Sequence, residues 1–159
     1  MKGNAKVLEF LNEALSEELT AINQYFLHSE MCENWGYEFL HEQIRRESID
    51  EMKHAEKLIE RILFLEGHPN LTRYGALKIG SKVEDMLAND LALEAGAVSM
   101  YNRGIALCAE VGDYGSRDFL QGILLEEEGH LDWIETQIGL IKELGPANYL
   151  SRQIPPRKE

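Results

Sequence analysis

The segment ESIDEMKHAE, residues 47–56, contains a glutamate and a histidine one helical turn apart, at Glu51 and His54. The segment LEEEGHLDW, residues 125–133, repeats this spacing at Glu127 and His130. We call the distance along the chain from Glu51 to Glu127 the repeat interval; the same interval separates the two histidines. Side chains three positions apart lie on the same face of an α-helix, so each pair places a carboxylate beside an imidazole. The two segments therefore predict two related helices that direct metal-binding side chains inward.

On either side of these segments, apolar residues recur every three or four positions along four stretches of the chain. This spacing is typical of the buried face of a long α-helix. We predict helices over about 5–34 and 38–66, a third that ends near residue 111 and a fourth that ends near residue 145. The fold class expected is all-α, a four-helix bundle.

The connection between the second and third helices, residues 67–81, is much longer than the other two and contains Pro69. A connection of this length predicts a crossover along the bundle. After the fourth helix we expect a short C-terminal helix near 147–152 and a disordered tail over 155–159. The 159 residues are expected to form a single domain, 1–159.

Charge and cysteine content limit the partners and the compartment. The chain has 16 Lys and Arg against 28 Asp and Glu, a formal net charge of −12, which disfavours nucleic acid and anionic membrane surfaces and favours cations. Its cysteines, Cys32 and Cys108, form no CxxC motif, so we expect no disulfide framework and a reducing compartment. No signal peptide or membrane-spanning stretch is expected, which predicts a cytoplasmic protein.

Each predicted apolar stripe is interrupted by one glutamate: Glu18, Glu51, Glu94 and Glu127. One such residue alone is commonly explained by a kink or by a paired arginine. Four of them follow a repeat, because Glu94 follows Glu18 by the same repeat interval. Four buried carboxylates repel one another unless cations offset their charge, and two divalent ions match it. Carboxylates with two imidazoles and no thiolate favour iron or manganese over structural zinc.

Three segments carry a family resemblance over nearly the whole chain: NQYFLH at 23–28, ESIDEMKHAE at 47–56 and EEEGHLDW at 126–133. They resemble bacterioferritins, haem-containing members of the ferritin family. The resemblance implies a ferroxidase that oxidises Fe(II) with O2 or peroxide at a di-iron centre within each subunit. It also implies iron storage in a homo-oligomeric shell of 24 subunits, built from two-fold dimers.

The same resemblance assigns roles to the metal ligands. Glu18 and His54 are implied to serve one iron, and Glu94 and His130 the other. The two remaining glutamates, Glu51 and Glu127, are implied to bridge the pair.

The resemblance also implies a haem b shared between two subunits, with Met52 and its two-fold mate as axial ligands. Its pocket is expected to include Leu19, Asn23 and Phe26. Tyr25 is implied to donate electrons to the iron pair, although simple packing explains its position equally well. Iron release is expected to draw electrons from a small ferredoxin through the haem.

Other functions remain open on the sequence alone. A rubrerythrin-like peroxidase would carry a CxxC iron site, which this sequence lacks, and an oxygenase would need a substrate pocket. A non-catalytic haem or scaffold subunit would be expected to have lost metal ligands, whereas all six are present in this sequence.

Several further side chains receive minor expectations. We expect Glu47 to add polarity next to the site, and Trp133 to pack or, less readily, to act in electron transfer. Arg46 is expected to pair with Asp50 or Glu42. The histidines outside the repeat, His28, His41 and His68, are expected at the surface.

Overall fold

The computed structural model describes residues 1–158, within which the chain forms five α-helices. They are α1 (Ala5–Asn34), α2 (Glu38–Phe64), α3 (Val83–Glu110), α4 (Tyr114–Leu144) and the short α5 (Pro146–Ser151). Helix α1 packs along α2 and α3 packs along α4, while α1 also contacts α3 and α5 lies against α4. The predicted all-α four-helix bundle with a short C-terminal helix is confirmed.

A capping side chain marks the start of α1, and glycine residues form the turns after α1 and α3. The side chain of Asn4 accepts hydrogen bonds from the backbone N–H groups of Lys6 and Val7, which caps the start of α1. Gly36 and Gly112 adopt positive φ angles of 86° and 75° in the turns after α1 and α3. Glycine tolerates this conformation because it has no Cβ, so each turn reverses the chain within a few residues.

The end of α2 and the C-terminal tail differ in detail from the prediction. Helix α2 stops at Phe64 rather than at 66 because Glu66 adopts a φ of 60°, and the N–H of Gly67 bonds the carbonyl of Ile62. Residues 155–158 have no regular secondary structure, and the predicted disorder of the tail stays a prediction. Its last residue, Glu159, lies outside the described residues.

The crossover between α2 and α3 lies along α1. Its backbone N–H groups donate hydrogen bonds to side chains spaced along one edge of that helix. These donor and acceptor pairs are Asn70 to Asn12, Gly75 to Thr20, Lys78 to Gln24 and Gly80 to His28. Polar α1 residues thus satisfy a connection that has no secondary structure of its own.

The apolar interior is divided into two clusters by the glutamates of the four helices. One cluster contains Leu11, Leu58 and Leu120, and the other contains Ile44 and Leu87. On every bundle helix, the glutamate of the repeat lies between residues of the first cluster and residues of the second. We call the level that separates the clusters the glutamate layer; it consists of Glu18, Glu51, Glu94 and Glu127. Within residues 1–158, no helix has both the length and the apolar character needed to cross a bilayer.

Candidate metal centre

The glutamate layer contains carboxylates that are almost fully withdrawn from solvent. Each of the four glutamates is at most 2% exposed, although each lies on a different helix. The ring of His54 is fully buried and that of His130 is 11% exposed. The structure therefore brings together all six residues that the repeat singled out.

The six residues form two groups of four, and the potential ligand atoms of each group lie within 4.8 Å of one another. Both groups contain Glu51 and Glu127. The first group is completed by Glu18 and His54, and the second by Glu94 and His130.

The contacts across the layer follow the same repeat interval as the sequence. Nδ1 of His54 lies 2.8 Å from Oε1 of Glu127, and Nδ1 of His130 lies 2.9 Å from Oε1 of Glu51. Each histidine thus faces the glutamate of the other helix hairpin. Two similar positions result, one on each side of Glu51 and Glu127.

Many polar atoms of these residues have no hydrogen-bond partner despite their burial. Six such atoms converge here: Oε2 of Glu18, Oε1 of Glu51, Nδ1 of His54, Oε2 of Glu94, Oε1 of Glu127 and Nδ1 of His130. The short nitrogen–oxygen distances above do not have hydrogen-bond geometry. Buried polar atoms without partners are costly, so each of the six residues offers a lone pair that a cation would satisfy.

The shifted pKa values of the glutamates and histidines at this site show that it favours bound positive charge. Burial, reinforced by Glu18, raises the pKa of Glu51 well above its ordinary value, and burial raises the pKa of Glu94 to about 8. Burial by itself lowers the pKa of His54, but Glu127 and Glu18 outweigh it and raise the pKa to about 11. Without metal, this site therefore retains protons, which bound cations would displace.

A surface carboxylate lies against the outer nitrogen of each histidine. Nε2 of His54 is 2.6 Å from Oε2 of Glu126, and Nε2 of His130 is 3.4 Å from Oδ2 of Asp50. Glu126 follows Asp50 by the repeat interval, so the repeat extends to these partners. A carboxylate here favours a proton on Nε2 and leaves Nδ1 free as a ligand, as is usual for metal-binding histidines.

Two buried tyrosines contact the layer, and only one of them was predicted. The hydroxyl of Tyr25 donates to Oε1 of Glu94, and the hydroxyl of Tyr101 donates to Oε1 of Glu18. Sequence reasoning missed Tyr101 because an aromatic residue does not interrupt an apolar stripe. The repeat could have found it, since Tyr101 also follows Tyr25 by the repeat interval.

Two cavities, one small and one larger, lie beside the layer and share lining residues. A cavity of about 10 Å³ is lined by the four glutamates together with Glu17, Leu93 and two alanines. This volume is about enough for one water molecule. A wider cavity of about 250 Å³ lies between α1, the crossover and α3, and it is also lined by Glu17 and Leu93.

Met52 lies on the outer face of α2 and is 57% exposed, as its predicted role at an interface requires. It lines a groove of about 280 Å³ together with Asn23, Phe26 and Ile49. Leu19, also expected beside Met52, is half-buried and packs against the first apolar cluster.

The predictions for two of the three remaining histidines are wrong. His28 is fully buried, because its Nδ1 lies 2.9 Å from Oδ1 of Asp90 and its Nε2 accepts the N–H of Gly80 from the crossover. His41 is half-buried, with Nδ1 2.9 Å from the carbonyl of Ser29. His68 is exposed, as predicted.

The predicted pairing of Arg46 with Asp50 or Glu42 is also wrong. Arg46 donates to Oε1 of Gln43 at 2.6 Å, whereas Asp50 lies beside His130 and Lys53.

Glu47 and Trp133 lie near the layer but outside both groups of four. Glu47 is buried and accepts a hydrogen bond from Gln43, and burial raises its pKa to about 8. Trp133 is half-buried and packs against the second apolar cluster.

Comparison with known proteins identifies relatives of this chain. The family model described as a ferritin-like domain matches residues 8–144. The chain is 50% identical over 149 residues to a bacterioferritin of Rhodobacter capsulatus, covering 94% of this chain and 92% of that protein. It is 46% identical over 158 residues to a bacterioferritin of Mycobacterium leprae, covering 98% and 99% of the two chains. A bacterioferritin of Brucella melitensis is 44% identical over 159 residues, or 100% of this chain and 99% of that one.

Proposed function

Because the chain belongs to the bacterioferritin family of ferritin-like proteins, we propose that it stores iron and detoxifies it as a ferroxidase. Fe(II) is oxidised to Fe(III) at a di-iron centre within each subunit, and the product is deposited inside a shell of 24 subunits. The observation that carries the proposal is the convergence of six buried, unpartnered ligand atoms on the glutamate layer.

The donor set fits two iron ions. Four carboxylates supply four negative charges, which two divalent ions neutralise, and the burial of the layer makes that neutralisation necessary. The donors are oxygen and imidazole nitrogen without thiolate, a set that suits iron or manganese. Cys32 and Cys108 belong to neither group of four.

Each ligand has a defined place in the proposal. Glu51 and Glu127 belong to both groups of four and would bridge the two ions, because no other residue of the layer is shared. Glu18 and His54 would hold one ion. Glu94 and His130 would hold the other.

When bound, the two ferrous ions supply the electrons that reduce O2 or peroxide. The surrounding residues fix the separation of the ligands and limit water to a cavity of about 10 Å³. Tyr25 is proposed as a further electron donor, and its bond to Oε1 of Glu94 places a carboxylate where the phenol proton can be received.

Fe(II) is proposed to reach the layer through the wider cavity between α1, the crossover and α3. That cavity and the small inner one share the lining residues Glu17 and Leu93. A cation in the wider cavity would therefore be separated from the layer only by these side chains. The side chain of Glu17 supplies a carboxylate at this junction.

Haem b is proposed to bind between two subunits, where Met52 and Met52 of the partner subunit would hold it. The exposed thioether of Met52 fits this role, and the adjacent groove is lined by the apolar side chains of Phe26 and Ile49. The haem would pass electrons from a small ferredoxin to stored iron. The carboxylates of the layer point into the bundle and are separate from this groove.

We place the homo-oligomer in the cytoplasm, with two-fold dimers as its building unit. Two free buried cysteines, Cys32 and Cys108, support a reducing compartment. The net charge of −12 supports cations rather than nucleic acid or membrane lipid as partners.

The proposal is tested on the purified full chain by size-exclusion chromatography, visible spectroscopy and aerobic oxidation of Fe(II). A very large particle that shows the spectrum of a methionine-ligated haem and rapidly oxidises two Fe(II) per subunit is the expected result. A particle of one or two subunits that oxidises Fe(II) no faster than buffer would reject it.

A further inference from the structure

The surface groove that contains Met52 lies between α1 and α2 and has a volume of about 280 Å³. Its lining residues are Ile22, Asn23 and Phe26 from α1, and Arg45, Ser48, Ile49 and Met52 from α2. Of these residues, Arg45 alone carries a charge. One cation in an otherwise uncharged groove indicates a binding site for an anionic group of a largely apolar ligand.

Arg45 and Met52 lie on the same face of α2. They are seven positions apart, which is two helical turns and corresponds to about 10 Å along the helix axis. Ile49 lies between them on the same face, one turn from each. A ligand that contacts Met52 and extends along the groove over Ile49 therefore reaches Arg45.

The guanidinium of Arg45 is available for such a ligand. Within residues 1–158 it forms neither a hydrogen bond nor an ion pair, whereas its neighbour Arg46 donates to Oε1 of Gln43 at 2.6 Å. The polar side chains of the groove are engaged with the protein: Ser48 donates to a main-chain carbonyl of α1 at 2.9 Å, and Asn23 donates to a carbonyl of its own helix at 2.9 Å. The five N–H donors of Arg45 thus remain free in the groove.

The ligand proposed for this groove needs a positive charge. Haem b carries its propionate carboxylates on one edge of an otherwise apolar ring. The net charge of −12 of the chain repels such an anion, and a carboxylate brought into an apolar groove between two subunits loses hydration. A guanidinium offsets both costs, because it binds a carboxylate through two parallel N–H···O bonds.

We propose that Arg45 binds a propionate carboxylate of the haem, two helical turns from the thioether of Met52. The inference rests on the proposed haem site and adds a second contact to it. In a two-fold dimer, Arg45 of the partner subunit would be available in the same way, so that each propionate of one haem has its own guanidinium.

Spectroscopic titration of the haem-free full chain with haem b measures this contact. Arg45→Gln should weaken haem binding by about 10–100-fold, the usual effect of losing a hydrogen bond between charged groups. At saturating haem its spectrum should match that of the wild-type protein, because Met52 is unchanged. The dimethyl ester of haem b, whose propionates are uncharged, should bind to the wild-type protein and to Arg45→Gln with equal affinity.

Arg46→Gln is the matched control, since it removes the same charge from the next residue, which bonds Gln43 and does not line the groove. It should bind haem b as the wild-type protein does. Should Arg45→Gln fail to fold, the wild-type protein alone decides the question, because it must bind haem b more tightly than the ester.

Four results would overturn the role of Arg45 and leave the haem site intact. They are equal affinity of Arg45→Gln and the wild-type protein for haem b, an equal loss in Arg46→Gln, a loss in Arg45→Gln that persists with the ester, and an altered spectrum of Arg45→Gln at saturation. A wild-type protein that never shows the spectrum of a methionine-ligated haem would overturn the proposed haem site as well.

Discussion

Oε2 of Glu126 lies 2.6 Å from Nε2 of His54, on the side of the imidazole that faces away from the glutamate layer. The equivalent contact, from Asp50 to His130, is longer at 3.4 Å. The ring of His130 is also slightly exposed, whereas that of His54 is fully buried. The two histidines thus have equivalent positions, but the outer carboxylate lies closer to His54 than to His130.

Glu126→Ala should therefore weaken metal binding more than Asp50→Ala does. Deleting the partner of a metal-binding histidine typically costs about 10–100-fold in affinity, and we expect Glu126→Ala to fall in that range. Asp50→Ala should cost less because its contact is longer. Calorimetric titration of both variants with Zn²⁺ makes the comparison. Equal losses would show that the difference in distance has no functional weight.

Glu18→Ala, Glu94→Ala and Glu127→Ala should each slow rapid Fe(II) oxidation sharply while the helical fold persists. Each change removes a ligand, but in the metal-free protein it also removes a carboxylate from a buried group whose members repel one another. Stopped-flow oxidation at two Fe(II) per subunit and circular dichroism provide the two measurements. Oxidation at the wild-type rate in these variants would exclude the six residues as the centre.

How far the sequence predicted this site depends on the kind of residue. The four glutamates were identifiable because a charge within an apolar stripe is conspicuous, and the repeat interval linked them to the histidines. Tyr101 was missed because an aromatic residue fits an apolar stripe without disturbing it. The helix boundaries that were predicted lie within two residues of those observed. No start was predicted for the third and fourth helices, because the apolar pattern did not define one.

The burial of His28 could not be predicted from the periodic spacing of apolar residues. Its partners are Asp90 on α3 and the backbone of Gly80 in the crossover, and neither contact follows from spacing along α1. A crossover without secondary structure has no periodicity from which its path can be predicted. The burial of His28 therefore became apparent only with the three-dimensional structure.

The stability gained from metal should increase with pH. Burial raises the pKa of Glu94 from 4.5 to about 8, so its favourable contribution to the metal-free fold is complete below pH 4.5 and is lost as the pH rises through 8. Cations then replace the missing protons. The rise in melting temperature caused by Co²⁺ should be larger at pH 8 than at pH 5.5. An equal rise at both values, at saturating Co²⁺, would contradict this linkage.

Met52→Leu should abolish haem binding without abolishing Fe(II) oxidation. The side chain of Met52 is 57% exposed and lines the surface groove, whereas the ligand atoms of the layer are buried in the bundle. The visible spectrum of the variant, after reconstitution with haem, and its oxidation rate are the two measurements. A persistent six-coordinate low-spin spectrum would mean that another residue is the axial ligand.

Anomalous diffraction from crystals soaked anaerobically in Fe(II) shows whether the glutamate layer binds two iron ions. We predict two iron peaks about 3.5–4 Å apart, the separation usual for two-metal sites, enclosed by Glu18, Glu51, His54, Glu94, Glu127 and His130. Iron peaks confined to surface carboxylates, with none between Glu51 and Glu127, would show that the glutamate layer is not the iron site.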